Sequence, residues 1–180
     1  NDNDRVTTSG WRAFSAVLQN PKSALATVNL RSIDSINNDV LISFASSLMH
    51  NSRLKELFLD GYHLGAIDQE IITITNWDAL SNVLCNKSSI DATFNSNHTL
   101  QRIIDPDDRD NNESRLPPVL RGLLQLNRES TPFEAARCKI LDVHFSGEFN
   151  MQPFIDMDLK ALPYAISWMT IDQCGRSPLY

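Results

Sequence analysis

WRAFSAVLQN (residues 11–20) returns as WDALSNVLCN (residues 77–86). Six of the ten positions are identical: Trp, Ala, Ser, Val, Leu and Asn. A third, more divergent copy lies between them, LISFASSLMH at 41–50. Aligned, Trp11, Leu41 and Trp77 share one position, Phe14, Phe44 and Leu80 a second, and Leu18, Leu48 and Leu84 a third. The spacing i, i+3, i+7 within each copy puts these residues on one stripe of a helix, wide enough to face a core. Short oxygen-bearing residues precede each copy: Thr8 or Ser9, Asn38 or Asp39, and Thr75 or Asn76. They are expected to cap the helices by accepting from the unpaired N–H groups of the first turn.

The segment after each of the first two helices also repeats. SALATVNLRS (23–32) and SRLKELFLDG (52–61) both read L-x-x-[LV]-x-L, through Leu25, Val28 and Leu30, then Leu54, Leu57 and Leu59. Apolar residues alternate with polar ones at the end of each motif, which is strand periodicity. Leu25 and Leu54 are 29 residues apart. A short strand, a loop, a helix and a return in that length match a leucine-rich-repeat unit. Two candidates exist for the third strand: SIDATFNSN from Ile90, or HTLQRIID from Leu100. The second fits better, because Leu100 falls on Leu54, Ile103 on Leu57 and Asn97 on Asn51. It requires insertions near 65–71 and 88–97, and insertions in repeat arrays map to surface loops.

The motifs ALATVNLRS and RLKELFLDG, with long helices between, resemble ribonuclease-inhibitor-type leucine-rich repeats. Further phrases are closer to a large, mostly uncharacterised group of algal (diatom-type) leucine-rich-repeat proteins: GWRAFSAVLQN (10–20), SNHTL (96–100), LLQLNR (123–128), AARCKIL (135–141), VHF (143–145) and MQPFIDMDLKALPYAISW (151–168). The resemblance covers nearly the whole chain. It departs where the usual asparagine after the strand is Ile33 or Tyr62, and where the glycine before the helix, Gly10 in the first unit, is Asn76 in the third. It implies a protein-binding scaffold and no known catalytic residues.

The expected fold is therefore α/β: a leucine-rich-repeat solenoid fragment, with a short parallel sheet, outer helices and a helical C-terminal cap. Residues 1–104 hold the repeat units. DPDDRDNNESRLPP (105–118) has no apolar period and reads as a charged mobile loop. Residues 119–180 form the cap that the last repeat of an array needs against aggregation. There, VLRGLLQLNR (119–128) gives a short helix through Leu120, Leu123 and Leu124. In STPFEAARCKILDVHF (130–145), Thr131 and Glu134 form a capping box with Pro132 at the first helical position. Phe133, Ala136, Ile140 and Val143 are its expected buried face. The stripe Ile155, Leu159, Leu162, Ile166 and Met169 makes a last helical stretch, interrupted at Pro163 by a kink or by the meeting of two helices. At the other end the chain opens on a loop that feeds a helix. The expectation there is a C-terminal piece of a longer array or a truncated product, since roughly three repeats are usually needed for stability.

Composition narrows the function. The chain has 16 basic and 22 acidic residues, for a net charge of −6. An acidic balance disfavours nucleic acid, which needs clustered Lys and Arg, and disfavours a polybasic membrane anchor. No apolar run reaches the ~18 residues that span a bilayer. Cys85, Cys138 and Cys174 are odd in number and widely spaced, which favours reduced thiols and an intracellular, cytoplasmic setting. Sequons at Asn86, Asn97 and Asn112 read as chance matches in a chain rich in Asn and Ser. No catalytic motif, phosphate loop or metal-ligand spacing is found among the histidines, cysteines or acidic residues. No catalytic, cofactor or metal residue is therefore assigned.

The informative residues are those on the strands that point away from the core. Stacked parallel strands place equivalent positions ~4.8 Å apart. Thr27, Glu56 and Arg102 form one row, Asn29, Phe58 and Ile104 a second, and Arg31 and Asp60 a third. These would pave the concave face that repeat proteins use for partners. Phe58 is either a binding anchor or an aromatic that tightens the sheet against Ile104. The function expected is a non-enzymatic interaction module for another protein, with no membrane or nucleic-acid partner. The alternatives are a regulator of an enzyme, such as a GTPase activator of the leucine-rich-repeat type, and a truncated fragment without retained function.

Overall fold

The computed structural model describes residues 6–20, 22–30, 38–59, 74–104 and 116–145. In chain order these give helix α1 (Thr8–Gln19), strand β1 (Thr27–Asn29), α2 (Asn38–Leu48), β2 (Glu56–Phe58), α3 (Ile74–Leu84), α4 (Ile90–Phe94), β3 (Arg102–Ile104), α5 (Pro118–Glu129) and α6 (Pro132–Phe145). The architecture is mixed α/β, with one three-stranded parallel sheet in the order β1-β2-β3. Among the described residues no helix is long and apolar enough to cross a membrane.

Each strand is three residues long with a buried centre, Val28, Leu57 or Ile103, between less buried neighbours. This is the period-2 pattern that one buried sheet face imposes. The register pairs Thr27 with Glu56 and Arg102, Val28 with Leu57 and Ile103, and Asn29 with Phe58 and Ile104. The backbone bonds around the strands recur from one step to the next. The Ala26 carbonyl accepts from the Lys55 and Glu56 N–H groups at 2.8 and 3.1 Å, and the Lys55 carbonyl from Gln101 and Arg102 at the same distances. Leu30 N–H donates to Phe58 O and Leu59 N–H to Ile104 O, both at 3.0 Å. The third strand thus begins beyond Leu100, and the alternative start at Ile90 is a helix.

The helices pack in sequence order, α1 on α2 and α2 on α3, with α5 next against α3 and β3. Leu18, Leu48 and Leu84, from the aligned stripe, are buried in one apolar cluster with Val28, Leu57, Ile103, Leu120, Leu123 and Leu124. The aligned Phe14 and Phe44 stack with centroids 6.1 Å apart and planes 8° from parallel. Trp11 meets Phe14 edge to face at 6.2 Å. Offset-stacked and edge-to-face rings suit the aromatic quadrupole, so the α1–α2 seam gains more than area burial alone.

Several expectations about helix ends change. The N-cap of α1 is Thr7, whose Oγ1 accepts from Gly10 N at 3.2 Å, so Thr8 and Ser9 lie inside the first turn. A Cβ at Gly10 would stand 3.0 Å from a Val6 methyl, which favours glycine there. Asn38, Asp39, Thr75 and Asn76 likewise fall within the first turns of α2 and α3. The capping box of α6 is present: Glu134 Oε2 accepts from Thr131 N at 2.9 Å, and Thr131 Oγ1 from Glu134 N at 3.3 Å. The bonds from Thr131 hold the Glu134 carboxyl below its usual pKa.

The buried face of α6 is not the expected one. Ala136 and Ile140 are buried and Val143 partly so, but Phe133 is 56% exposed. All six residues from Ala135 to Ile140 are buried, Arg137 and Lys139 among them. A helix enclosed on all sides has no solvent stripe for an amphipathic pattern to mark. The insertion at 88–97 forms α4, capped by Ser89 Oγ accepting from Ala92 N at 3.0 Å, and α4 packs on α6. The insertion at 65–71, the acidic stretch 105–115 and the helical stripe 151–173 lie outside the described residues.

Candidate functional site

The strand face assembles two of the three expected rows. Glu56 lies between Thr27 and Arg102: its Oε2 accepts from Thr27 Oγ1 at 3.5 Å, and its Oε1 lies 3.8 Å from Arg102 Nη1. Thr27 and Arg102 are exposed and Glu56 half-buried. Opposite charges on adjacent strands stabilise by a few tenths to ~1 kcal/mol at such exposure. In the second row Asn29 is exposed, with Phe58 and Ile104 half-buried beside it. Arg31 and Asp60, the third row, lie outside the described residues. The face therefore offers a charged row already paired within itself and a neighbouring row with an aromatic at its centre.

Behind the strands runs a polar spine that the apolar patterning does not reveal. Asn51 Nδ2 donates to the Leu18 carbonyl at 2.7 Å, and its Oδ1 accepts from Arg53 and Leu54 N–H groups. One unit on, Asn97 Nδ2 donates to Leu48 O at 2.7 Å and Asn51 O at 2.9 Å, while its Oδ1 accepts from Thr99 and Leu100 N–H groups. The next step uses a different side chain. Lys139 Nζ donates to Leu84 O at 2.7 Å and Asn97 O at 3.2 Å. Leu18, Leu48 and Leu84 are equivalent positions, so each helix end is satisfied by a polar group from further along the chain. Unpaired helix-end carbonyls buried without such partners would be costly.

Lys139 is 0% exposed. It also contacts Asn127 Oδ1 at 2.8 Å and His98 Nδ1 at 3.1 Å. The His98 Nε2 lies 3.0 Å from the Phe94 carbonyl, so Nε2 carries the proton and Nδ1 accepts. All four neighbours of Lys139 are acceptors, which suits the three donors of an ammonium better than the two donors and lone pair of a neutral amine. Burial opposes this and pushes its pKa down to about 7. Burial and the Lys139 charge together push His98 down to about 4. In sequence the spine has one visible trace: Asn51 and Asn97 each stand three residues before a leucine, Leu54 or Leu100, that leads into a strand. Lys139 carries no comparable mark beyond its place between Cys138 and Ile140.

Cys85 is a free, buried thiol, and burial raises its pKa. Cys138 stands in a disulfide whose partner lies outside the described residues, so the reading of reduced thiols does not hold there. Asn97 is 2% exposed with both amide hydrogens engaged, leaving no room for a glycan in the folded protein. Asn86 sits in a half-buried turn and accepts from Ser88 N at 3.1 Å, and Asn112 lies outside the described residues.

Comparison with models of protein families, with curated proteins and with solved structures finds no match to this chain.

Proposed function

We propose that the chain is a leucine-rich-repeat solenoid with a helical C-terminal cap, and that it binds another protein on its strand face without catalysis. Equivalent bonds at successive steps of the backbone and of the asparagine spine support the repeat reading. The observation that carries the functional reading is the register of Asn29, Phe58 and Ile104 across three parallel strands. It places an aromatic between a polar and an aliphatic neighbour, flanked by the charged row. Aromatic anchors in such surroundings carry much of the energy of protein interfaces.

The test is affinity capture from lysate with the wild type and Phe58→Ala side by side, with thermal unfolding of both. A captured protein at least tenfold depleted by the variant, with Tm changed by no more than roughly 2 °C, supports the reading. Unchanged capture together with a large fall in Tm assigns Phe58 to sheet packing and overturns it.

A further inference from the structure

A groove of about 610 Å³ runs past the loops leading into all three strands and past the turn between α5 and α6. Three of its lining residues are cationic, Lys22, Arg53 and Lys55. Its described lining contains no Asp or Glu, although acidic residues outnumber basic ones by 22 to 16 in the whole chain. All three cations are exposed. Among the described residues none of their side chains makes an ion pair or a hydrogen bond. They come from successive strand approaches, Lys22 before β1 and Arg53 and Lys55 before β2.

The floor adds to this charge. His98 and Asn127 line the groove, and both hold the buried Lys139 Nζ from beneath. Lys139 has no carboxylate partner among the described residues, and in its charged form, favoured below about pH 7, it adds positive potential beneath this lining. One face of an acidic protein thus concentrates positive potential in a concave site, which draws anionic partners.

We propose that this groove binds a short, extended, acidic peptide segment of a partner protein, its carboxylates paired with Lys22, Arg53 and Lys55. From β1 to β3 the sheet spans about 10 Å, the reach of roughly three extended residues, and the α5–α6 turn lengthens the path. The lining is polar as well as basic, with Gln101 and Ser130 available to the peptide backbone. The site shares with the strand-face reading only the premise of a protein partner, and its test is independent of Phe58.

The experiment titrates the protein against a fluorescein-labelled peptide of alternating Asp and Glu, roughly six residues long at ~3.3 Å each. A matched Asn/Gln peptide and a single-stranded RNA of similar length are run beside it. The acidic peptide binds and the neutral one does not. The combined Lys22→Glu, Arg53→Glu and Lys55→Glu variant, with unchanged Tm, weakens binding at least tenfold. Phe58→Ala leaves it unchanged. Affinity falls as salt rises from about 0.05 to about 0.3 M, because the screening length shrinks. Equal binding of the neutral peptide, tighter binding of the RNA, or insensitivity to the three reversals overturns the proposal, and none of these bears on capture through the strand face.

Discussion

Lys139 Nζ meets the Leu84 carbonyl at 2.7 Å, the same distance at which Asn97 Nδ2 meets the Leu48 carbonyl. A lysine from a late helix thereby does at the third helix end what an asparagine does at the second. It also reaches Asn97 O, as Asn97 reaches Asn51 O. The polar spine continues past β3 by borrowing a side chain from α6. The bond to Asn127 Oδ1 ties α5 into the same node.

Replacing Lys139 by Met keeps the length of the side chain and removes its donors. Leu84 O, Asn97 O, His98 Nδ1 and Asn127 Oδ1 then lose a partner together. Leaving buried acceptors unsatisfied costs ~1–3 kcal/mol each before relaxation. Lys139→Met should therefore lower urea stability by at least ~2 kcal/mol, read as a fall in midpoint at constant slope. A midpoint unchanged from wild type would mean that the four acceptors find other partners and that Lys139 is no keystone.

Asn97 and Asn20 make a contrast within one residue type. Asn97→Ala removes two buried donations that bridge neighbouring units and two acceptances that shape the approach to β3. A loss of ~2–4 kcal/mol is expected. Asn20 is exposed, and among the described residues its Oδ1 accepts only from Lys22 N, at 2.9 Å. Asn20→Ala should stay within ~0.5 kcal/mol, as exposed substitutions usually do. Equal effects in chemical denaturation would contradict a buried spine.

Acid should destabilise the fold through His98. Its folded pKa is about 4, against 6.5 for the free side chain. Between those values the unfolded chain binds more protons, so stability declines as pH falls through the window. Protonation would also place an Nδ1–H against the Lys139 ammonium. His98→Gln removes this titration, and its stability should depend less on pH than that of the wild type between pH 6.5 and about 4. Parallel pH profiles for the two proteins would assign the acid sensitivity elsewhere.

Cys85 should be inert in the native state. It is buried, its thiol is held above the ordinary pKa by burial, and the thiolate is the reactive form. Iodoacetamide should modify Cys85 only in denaturant, as read by peptide mass. Modification under native conditions at the rate of a free thiol would show that α3 opens locally.

The order of helices and strands was legible because it repeats. The helical stripe ending at Leu18, Leu48 and Leu84, and the strand centres Val28, Leu57 and Ile103, are apolar at offsets fixed within each helix or strand motif, and periodicity reports one-sided burial directly. The same offsets predicted the strand register, and with it which residues share the rows of the outward face. Helix starts were less legible. A threonine at position 7 and one at position 8 offer the same capping chemistry, and only the backbone path decides between them.

The residues of α6 were hidden for a different reason. Phe133 reads as core and is largely exposed, whereas Lys139 reads as surface and is fully buried. Apolar patterning assumes a helix with one wet face, and α6 is enclosed from Ala135 to Ile140. Read alone, the amino-acid order was enough for the repeated motifs, their alternation of helix and strand, and two of the three strand rows, because those depend on spacing along the chain. It took the packed fold to show that Lys139 completes the asparagine spine and that Lys22, Arg53 and Lys55 line one groove. Those relationships join residues up to 55 positions apart, as Lys139 is from Leu84. Hydrogen-bond geometry in a dry interior, which leaves no periodic trace, selects the spine, and the meeting of separate loops in space makes the groove.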